Sequence, residues 1–272
     1  SRCRSSHPSQ SPCVAFGLEI MAQAPAQPGD FEIQAHEQEI RNEAEACALV
    51  SPKTSLDDLK AQYASNPGFL PKIDNLGQRF STMRRTRPDG NCFYRAYTYG
   101  IFELIASKPE MLAAFASRVK GSLDFCVSAG YEKVAIEDFY EEFISCLDRL
   151  AAAAGAPSVS GDAASAAAVA PATPDELLAE CDGYLVCWTR CLTSAFLKVH
   201  AEEYVAFLTS HDSIAQFCAQ EVDPMAKDAD HLQITALSRY FGVPVCVVYL
   251  DQSTGDTAAE HVFREDGDAT TK

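Results

Sequence analysis

Apolar positions recur at helical spacing through most of the chain, and only near the C-terminus does a β-type run replace them. Phe31, Ile33, Ala35, Ile40 and Ala44, interleaved with five glutamates, predict a helix from Phe31 to about Ala46 with an acidic outer face. Ser55 reads as the N-cap of a helix from Leu56 to Ala64, with Asp57 and Asp58 suiting its first turn, and Asn66-Pro67-Gly68 ends it. A short helix and connector follow from Phe69 to Phe80. Pro109 can open a helix reaching about Ala129, stopped by Gly130. From Ile136 to Leu150, Phe139, Phe143 and Leu147 are spaced to face inward from an amphipathic helix. A core helix around Asp182 to Leu208 carries the lone tryptophan, Trp188; His200 and His211 near its end read as surface or capping residues. Ser213 to Val222 suggests a short helix, Asp223-Pro224 a turn, and Leu232 to Phe241 a helix ended by Gly242. Val243 to Leu250 is the clearest strand, and His261-Val262-Phe263 can begin its return. Helices dominate and a small sheet forms late, an α+β arrangement.

One stretch breaks this texture: Arg87-Pro88-Asp89-Gly90-Asn91-Cys92-Phe93-Tyr94-Arg95. Pro88 bars Arg87 from helix, and Asp89, Gly90 and Asn91 tolerate tight turns, so a helix can start only at about Cys92. Phe93, Ala96, Tyr97, Gly100, Ile101 and Leu104 then form a stripe expected to pack into the core. A thiol at that start meets unpaired backbone N–H groups and the positive end of the helix dipole, which should lower its pKa. The same N–H groups could cradle an oxyanion.

Composition narrows the partners. The 272 residues suffice for one sizeable core, 47% of them are hydrophobic, and the net charge is −16. Nothing offers the basic stripe that nucleic acid requires, and no apolar run is long enough to span a bilayer. Eleven cysteines, an odd number without CxxC spacing, read as reduced thiols of the cytosol, and of the nucleus as a second compartment. Cys181, Cys187 and Cys191 lack paired-ligand spacing, so neither a metal nor an organic cofactor is expected. Residues 1–30, rich in Ser, Pro, Gln and Ala, are expected to be disordered, and Met21 competes with Ser1 as the natural start. Residues 31–272 form the domain. Within it, 151–174 is half alanine and reads as a flexible insertion supplying little core.

The run Asp89-Gly90-Asn91-Cys92-Phe93-Tyr94-Arg95 resembles the nucleophile loop of the ovarian-tumour (OTU) family of cysteine deubiquitinases, most closely its otubain branch. The resemblance continues in Phe217-Cys218-Ala219-Gln220-Glu221-Val222-Asp223-Pro224-Met225, in Asp230-His231, and in Val245-Cys246-Val247-Val248-Tyr249, covering roughly residues 31 to 268. It implies a papain-like fold and a thiol-dependent isopeptidase acting on ubiquitin and polyubiquitin, with a ubiquitin-conjugating enzyme as a further partner and the N-terminal helix as an arm that helps hold one of them. By the same resemblance Cys92 is the nucleophile, Asp89 an active-site residue bracing the loop, Gly90 and Asn91 oxyanion donors, and His231, Thr235, Tyr249 and Asp251 ubiquitin contacts.

One element of the family pattern is not found. The family's histidine lies in a Gly-His-Tyr-Asp-like strand near the C-terminus, and no such segment occurs here. Glu260-His261-Val262-Phe263 resembles the entry to the final hairpin, and Ala269 to Lys272 matches nothing. The expectation is therefore a domain that is C-terminally incomplete, with His261 moving into the catalytic position as the lesser alternative. A ubiquitin or conjugating-enzyme binder without turnover is the rival function; a redox-sensitive thiol at Cys92 is a third.

Overall fold

In the computed structural model the described residues are 38–39, 41–161 and 170–264, with the backbone of 269–271. The expected disorder of 1–30, much of the Phe31 helix and the middle of the alanine-rich insertion lie outside them. Residues 38–39 and 41–46 are helical. The main body, from Arg41 onward, runs β1 (Thr54–Ser55), α1 (Leu56–Gln62), α2 (Leu70–Gly77), β2 (Thr82–Met83), α3 (Cys92–Ser107), α4 (Leu112–Lys120), α5 (Ser122–Ser128), α6 (Lys133–Ala153) and α7 (Pro174–Val199). It continues through α8 (Ala201–Tyr204), α9 (Ile214–Phe217), α10 (His231–Phe241), β3 (Val245–Tyr249), β4 (Ala259–Phe263) and β5 (Ala269–Thr271).

Helix α7 is the axis of the body, packed against α6, α3 and α10. It begins at Pro174, well before the predicted Asp182, because Thr173 and Glu176 form a reciprocal capping box and Pro174 supplies a preset first turn. It also ends earlier than predicted. His200 is the C-cap, and its Nδ1 bonds the Phe196 carbonyl at 2.9 Å. Trp188, Leu192, Ala195 and Leu197 are fully buried, and so are Thr189, Thr193 and Arg190. The two threonine hydroxyls donate to the carbonyls one turn back, Leu185 and Thr189, so their burial leaves no polar group stranded.

The sequence pattern misplaced the buried face of α3. Tyr97 and Ile101 are buried as expected, but Ala96 and Gly100 are exposed, while Tyr94, Arg95, Thr98, Tyr99, Phe102 and Ile105 are enclosed. An arginine does not register as a core position, and Arg95 is there because carboxylates meet it. The single helix predicted from Pro109 to Ala129 is a 3-10 turn (Pro109–Met111), α4 and α5, interrupted at Gly121.

The late sheet is antiparallel in the order β3-β4-β5, with Val247 opposite His261 and His261 opposite Thr270. A second pair, β1 with β2, was invisible to periodicity because each strand is two residues long. Lys72 of α2, fully buried, donates to the Asp251 carboxylate, to the Asp251 carbonyl at 2.9 Å and to Ser253 Oγ at 2.8 Å, which fastens the turn after β3 onto the helical body.

The alanine-rich stretch contributes more than expected. Ala151–Ala153 complete α6, and Val159 and Ala172 are buried in the main core. Asp148, itself buried, accepts from Ser158 Oγ at 2.8 Å and from the Val159 and Ser160 N–H groups, so this carboxylate pins the start of the insertion. Asp148→Ala strands those donors and should lower unfolding stability by about 2 kcal/mol. Urea denaturation of this variant beside the wild type measures this; an unchanged midpoint would mean that the insertion is not anchored through Asp148.

Candidate active site

The turn before α3 is built by two constraints. Gly90 has φ 74°, and a Cβ there would lie 2.4 Å from the Ala226 carbonyl carbon, so both conformation and space require glycine. Ala226 has φ 61°, the sole left-handed non-glycine among the described residues. A strained alanine packed on the Gly90 backbone is held by its surroundings, and the holder is Asn91: its Oδ1 accepts from Ala226 N–H at 3.0 Å and from Arg190 at 2.7 Å. Asn91 therefore occupies the N-cap position of α3 without capping it by its side chain.

Two arginines organise this junction. Arg95, 2% exposed, donates to Asp89 Oδ1 and Oδ2 at 2.9 and 2.8 Å and to Asp182 Oδ1 and Oδ2 at 2.7 and 2.9 Å. Asp89 Oδ1 also accepts the Asn91 N–H at 3.0 Å. Burial works against the ionised Asp89, yet the bonds from Arg95 and Asn91 hold its pKa below the usual carboxylate range. Arg190, 1% exposed, donates to the carbonyls of Gly90, Lys227 and Val222 as well as to Asn91, and its guanidinium lies 4.2 Å from the Tyr94 ring centroid. One side chain of α7 thus joins the 87–91 turn to the 222–227 loop.

Cys92 sits where predicted, at the first position of α3, half-buried and free. Its pKa moves opposite to expectation. Burial raises it, negative charge on Asp228 and Asp89 adds to the rise, and the N–H of Phe93 and the cation of Arg95 offset only part. Of the expected oxyanion donors, the Asn91 N–H is donated to Asp89, while the Gly90 carbonyl accepts from Arg190.

The remaining predicted residues divide. His231 is the first residue of α10, and its Nδ1 lies 2.7 Å from Asp230 Oδ1. Its Nε2 is 3.4 Å from Tyr249 Oη, and the Thr235 hydroxyl donates to its carbonyl at 2.7 Å. His231, Thr235 and His261 line a cavity of about 770 Å³ together with Asp228 and Asp230. Asp228 is the residue common to this cavity and to the Cys92 field. Asp251 does not join them; it is occupied by Lys72. His261 lies mid-strand in β4 with its ring 4.3 Å from Phe263 and 5.6 Å from His231, centroid to centroid. The groups acting most strongly on the thiol are burial, Asp228, Phe93, Asp89 and Arg95, and His261 is not among them.

The family model described as Peptidase C65 Otubain matches residues 42–272. The chain belongs to the otubain family. The match includes the tail from Ala269, which supplies β5. Ubiquitin thioesterase OTUB1 of Rattus norvegicus is 32% identical over 254 residues, covering 93% of this chain and 84% of the relative. Ubiquitin thioesterase OTUB2 of Homo sapiens is 32% identical over 80% of this chain and 87% of its own length. Among solved structures, an OTUB1 complex with ubiquitin aldehyde and UBCH5B~Ub superposes with a TM-score of 0.71 at 29% identity, over 85% of this chain and 88% of that one. The otubain Cys92 loop is thus carried on the papain-like α+β frame that the motifs implied.

Sequence reasoning missed Asp182, Arg190 and Asp228. Arg95 ended the quoted motif, so its place was visible though its task was not. A lone arginine amid the apolar face of α7 is the one available signal for Arg190.

Two outcomes follow from this geometry. Arg190→Met leaves the Gly90, Val222 and Lys227 carbonyls without this donor and Asn91 Oδ1 with Ala226 N–H alone, and should cost about 3 kcal/mol, and Arg190→Lys should recover little because an ammonium cannot span the same acceptors. Thermal or urea unfolding of both variants reads this directly, and full recovery by lysine would refute the fork role. Alkylation of Cys92, followed by peptide mass spectrometry, should rise with pH through an inflection above the ordinary thiol range, since the folded pKa is raised and the reactive thiolate appears only as pH climbs through it. Asp228→Asn should move the inflection down; an unmoved inflection would remove Asp228 from the thiol's field.

Proposed function

We propose that this chain is a thiol isopeptidase that removes ubiquitin from lysine conjugates and ubiquitin chains, with Cys92 as the nucleophile. The observation that carries the reading is a half-buried thiol opening α3, on a turn fixed by Asp89–Arg95 and Asn91–Arg190, in a chain matched to the otubain model over residues 42–272. In the reaction the Cys92 sulfur forms a bond to the isopeptide carbonyl carbon. The carbon–nitrogen bond breaks, the lysine amine leaves with a proton, and water then cleaves the thioester.

The first proton comes from the thiol and must pass through a base to the leaving amine. Asp228 and Asp89 determine what that base should be. Their negative charge disfavours an isolated thiolate but stabilises a cation beside it, so a thiolate–imidazolium pair gains where a lone thiolate loses. A histidine placed at Cys92 would meet that field. Asp89 acts through Arg95 and the Asn91 amide as a positioning residue.

Ubiquitin is the partner expected at the cavity lined by His231 and Thr235, with Tyr249 beside His231. A conjugating enzyme charged with ubiquitin is a second, since the OTUB1 complex that superposes on this chain holds UBCH5B~Ub. The cytoplasm, with the nucleus as a second compartment, is the proposed location; nine described cysteines are free thiols, which suits a reducing environment.

Ubiquitin bearing a thiol-reactive C-terminal group should label the chain once, at Cys92, and leave Cys92→Ala unlabelled. Hydrolysis of a fluorogenic ubiquitin conjugate should be lost in the same variant. Binding of ubiquitin without labelling or turnover would replace the isopeptidase with a binder, and turnover abolished by His261→Ala while ubiquitin binding persists would make that residue the base.

A further inference from the structure

We propose that Glu142, Cys146 and Cys181 form a site for a soft divalent metal ion of the zinc and cadmium class, bridging α6 and α7. One ligand atom from each lies within 4.8 Å of the others. A tetrahedral ion with metal–sulfur bonds of about 2.3 Å needs its ligands about 3.8 Å apart, so side-chain rotation alone can close the set. Glu142 and Cys146 stand four residues apart, on one face of α6, and Cys181 approaches from α7. This is the pairing that linear spacing concealed. Cys181 lacked a partner among Cys187 and Cys191 because its partner is on another helix.

The unloaded cluster is poorly satisfied. Cys146 is fully buried and Cys181 nearly so. The Cys181 thiol donates to Glu142 Oε1 at 2.9 Å, a weak donor for a half-buried carboxylate, and no stronger donor to Glu142 occurs among the described residues. A divalent cation would satisfy all three groups at once, displacing both thiol protons. Two thiolates and a carboxylate carry three negative charges and a divalent ion leaves one; Arg149, itself paired with Glu180 at 2.6 Å, adds positive charge near both sulfurs. Two sulfurs select zinc or cadmium over magnesium or calcium. The fourth position falls to water on the half-exposed Glu142 side. The bridge joins the two helices that flank the alanine-rich insertion, so a bound ion would hold its ends together.

The test uses the full chain, reduced with a phosphine and kept anaerobic, titrated with cadmium while the thiolate-to-cadmium ultraviolet band is followed. One tight equivalent should be lost in Cys146→Ala and in Cys181→Ala but retained in Cys47→Ser and Cys246→Ser, which remove exposed thiols outside the cluster. Glu142→Gln should weaken that equivalent by about tenfold or more. It changes no buried volume, so it keeps the test valid should a cysteine variant misfold. Zinc should release two protons per ion, read by a pH indicator, and raise the melting temperature of the wild type but not of Cys146→Ala. Equal cadmium stoichiometry and affinity in wild type, Cys181→Ala and Glu142→Gln would overturn the site, as would the absence of any tight equivalent in the wild type.

Discussion

The arrangement of the 87–91 turn depends on two guanidinium groups held away from water. Arg95 lies between the carboxylates of Asp89 and Asp182, and Arg190 gathers three backbone carbonyls and the Asn91 amide oxygen. Burying a charge is costly unless its hydrogen bonds are complete, and these two are nearly so. Their value is less in net stability than in specificity. A fork with fixed donor directions admits one placement of the 87–91 turn relative to α7, whereas an apolar contact of equal area would admit several. Burial pulls the Arg190 pKa down, while its paired carboxylates raise that of Arg95. The contrast fits their partners: Arg190 is met mainly by neutral oxygens and an aromatic face, Arg95 by full charges.

The same two residues mark the boundary of what could be read from the chain alone. Local signals were legible: the turn at Asp89-Gly90-Asn91, the start of α3 at Cys92, the Ser55 cap, and the end of α10 at Gly242 all follow from short-range chemistry. So was the late hairpin, because β-branched runs separated by a polar turn have few other outcomes. What was not legible is tertiary. The buried face of α3 was misjudged because Arg95 is a core residue only by virtue of Asp182, far along the chain, and Thr98 is enclosed by packing rather than by any local pattern. The two-residue strands β1 and β2 have no period to detect, and the cap that starts α7 at Pro174 was hidden beneath a stretch whose composition suggested loop. In the site, Cys92 and Asp89 were legible from the motif, while Asp182, Arg190 and Asp228 came into view only with the fold.

The thiol shows how a local signal can place a cysteine at a helix start and still misjudge its electrostatics. A helix start does present N–H groups to Cys92, and Phe93 contributes one. The effect of a helix terminus is worth up to about 2 kcal/mol in favourable sites, which burial and two nearby carboxylates can outweigh. Without a cationic partner such a site keeps its sulfur protonated, and therefore less open to adventitious oxidation, since the thiolate is the reactive form. With an imidazolium at hand, the same carboxylates become favourable neighbours. One set of charges thus suppresses the free nucleophile and supports the paired one.

This bears on where control of the site resides. Asp228 lines the cavity that also holds His231, Thr235 and His261, while its field reaches Cys92. A protein surface that fills this cavity displaces water around Asp228, and removing water lengthens the reach of its charge. Asp228 is therefore the carboxylate that faces the cavity and also acts on the thiol. The sign of that effect depends on the thiol's partner. A bare thiol is held toward its protonated form by that charge, whereas an imidazolium placed nearer to Asp228 than the sulfur would be favoured by it, so the position of the base decides the sign.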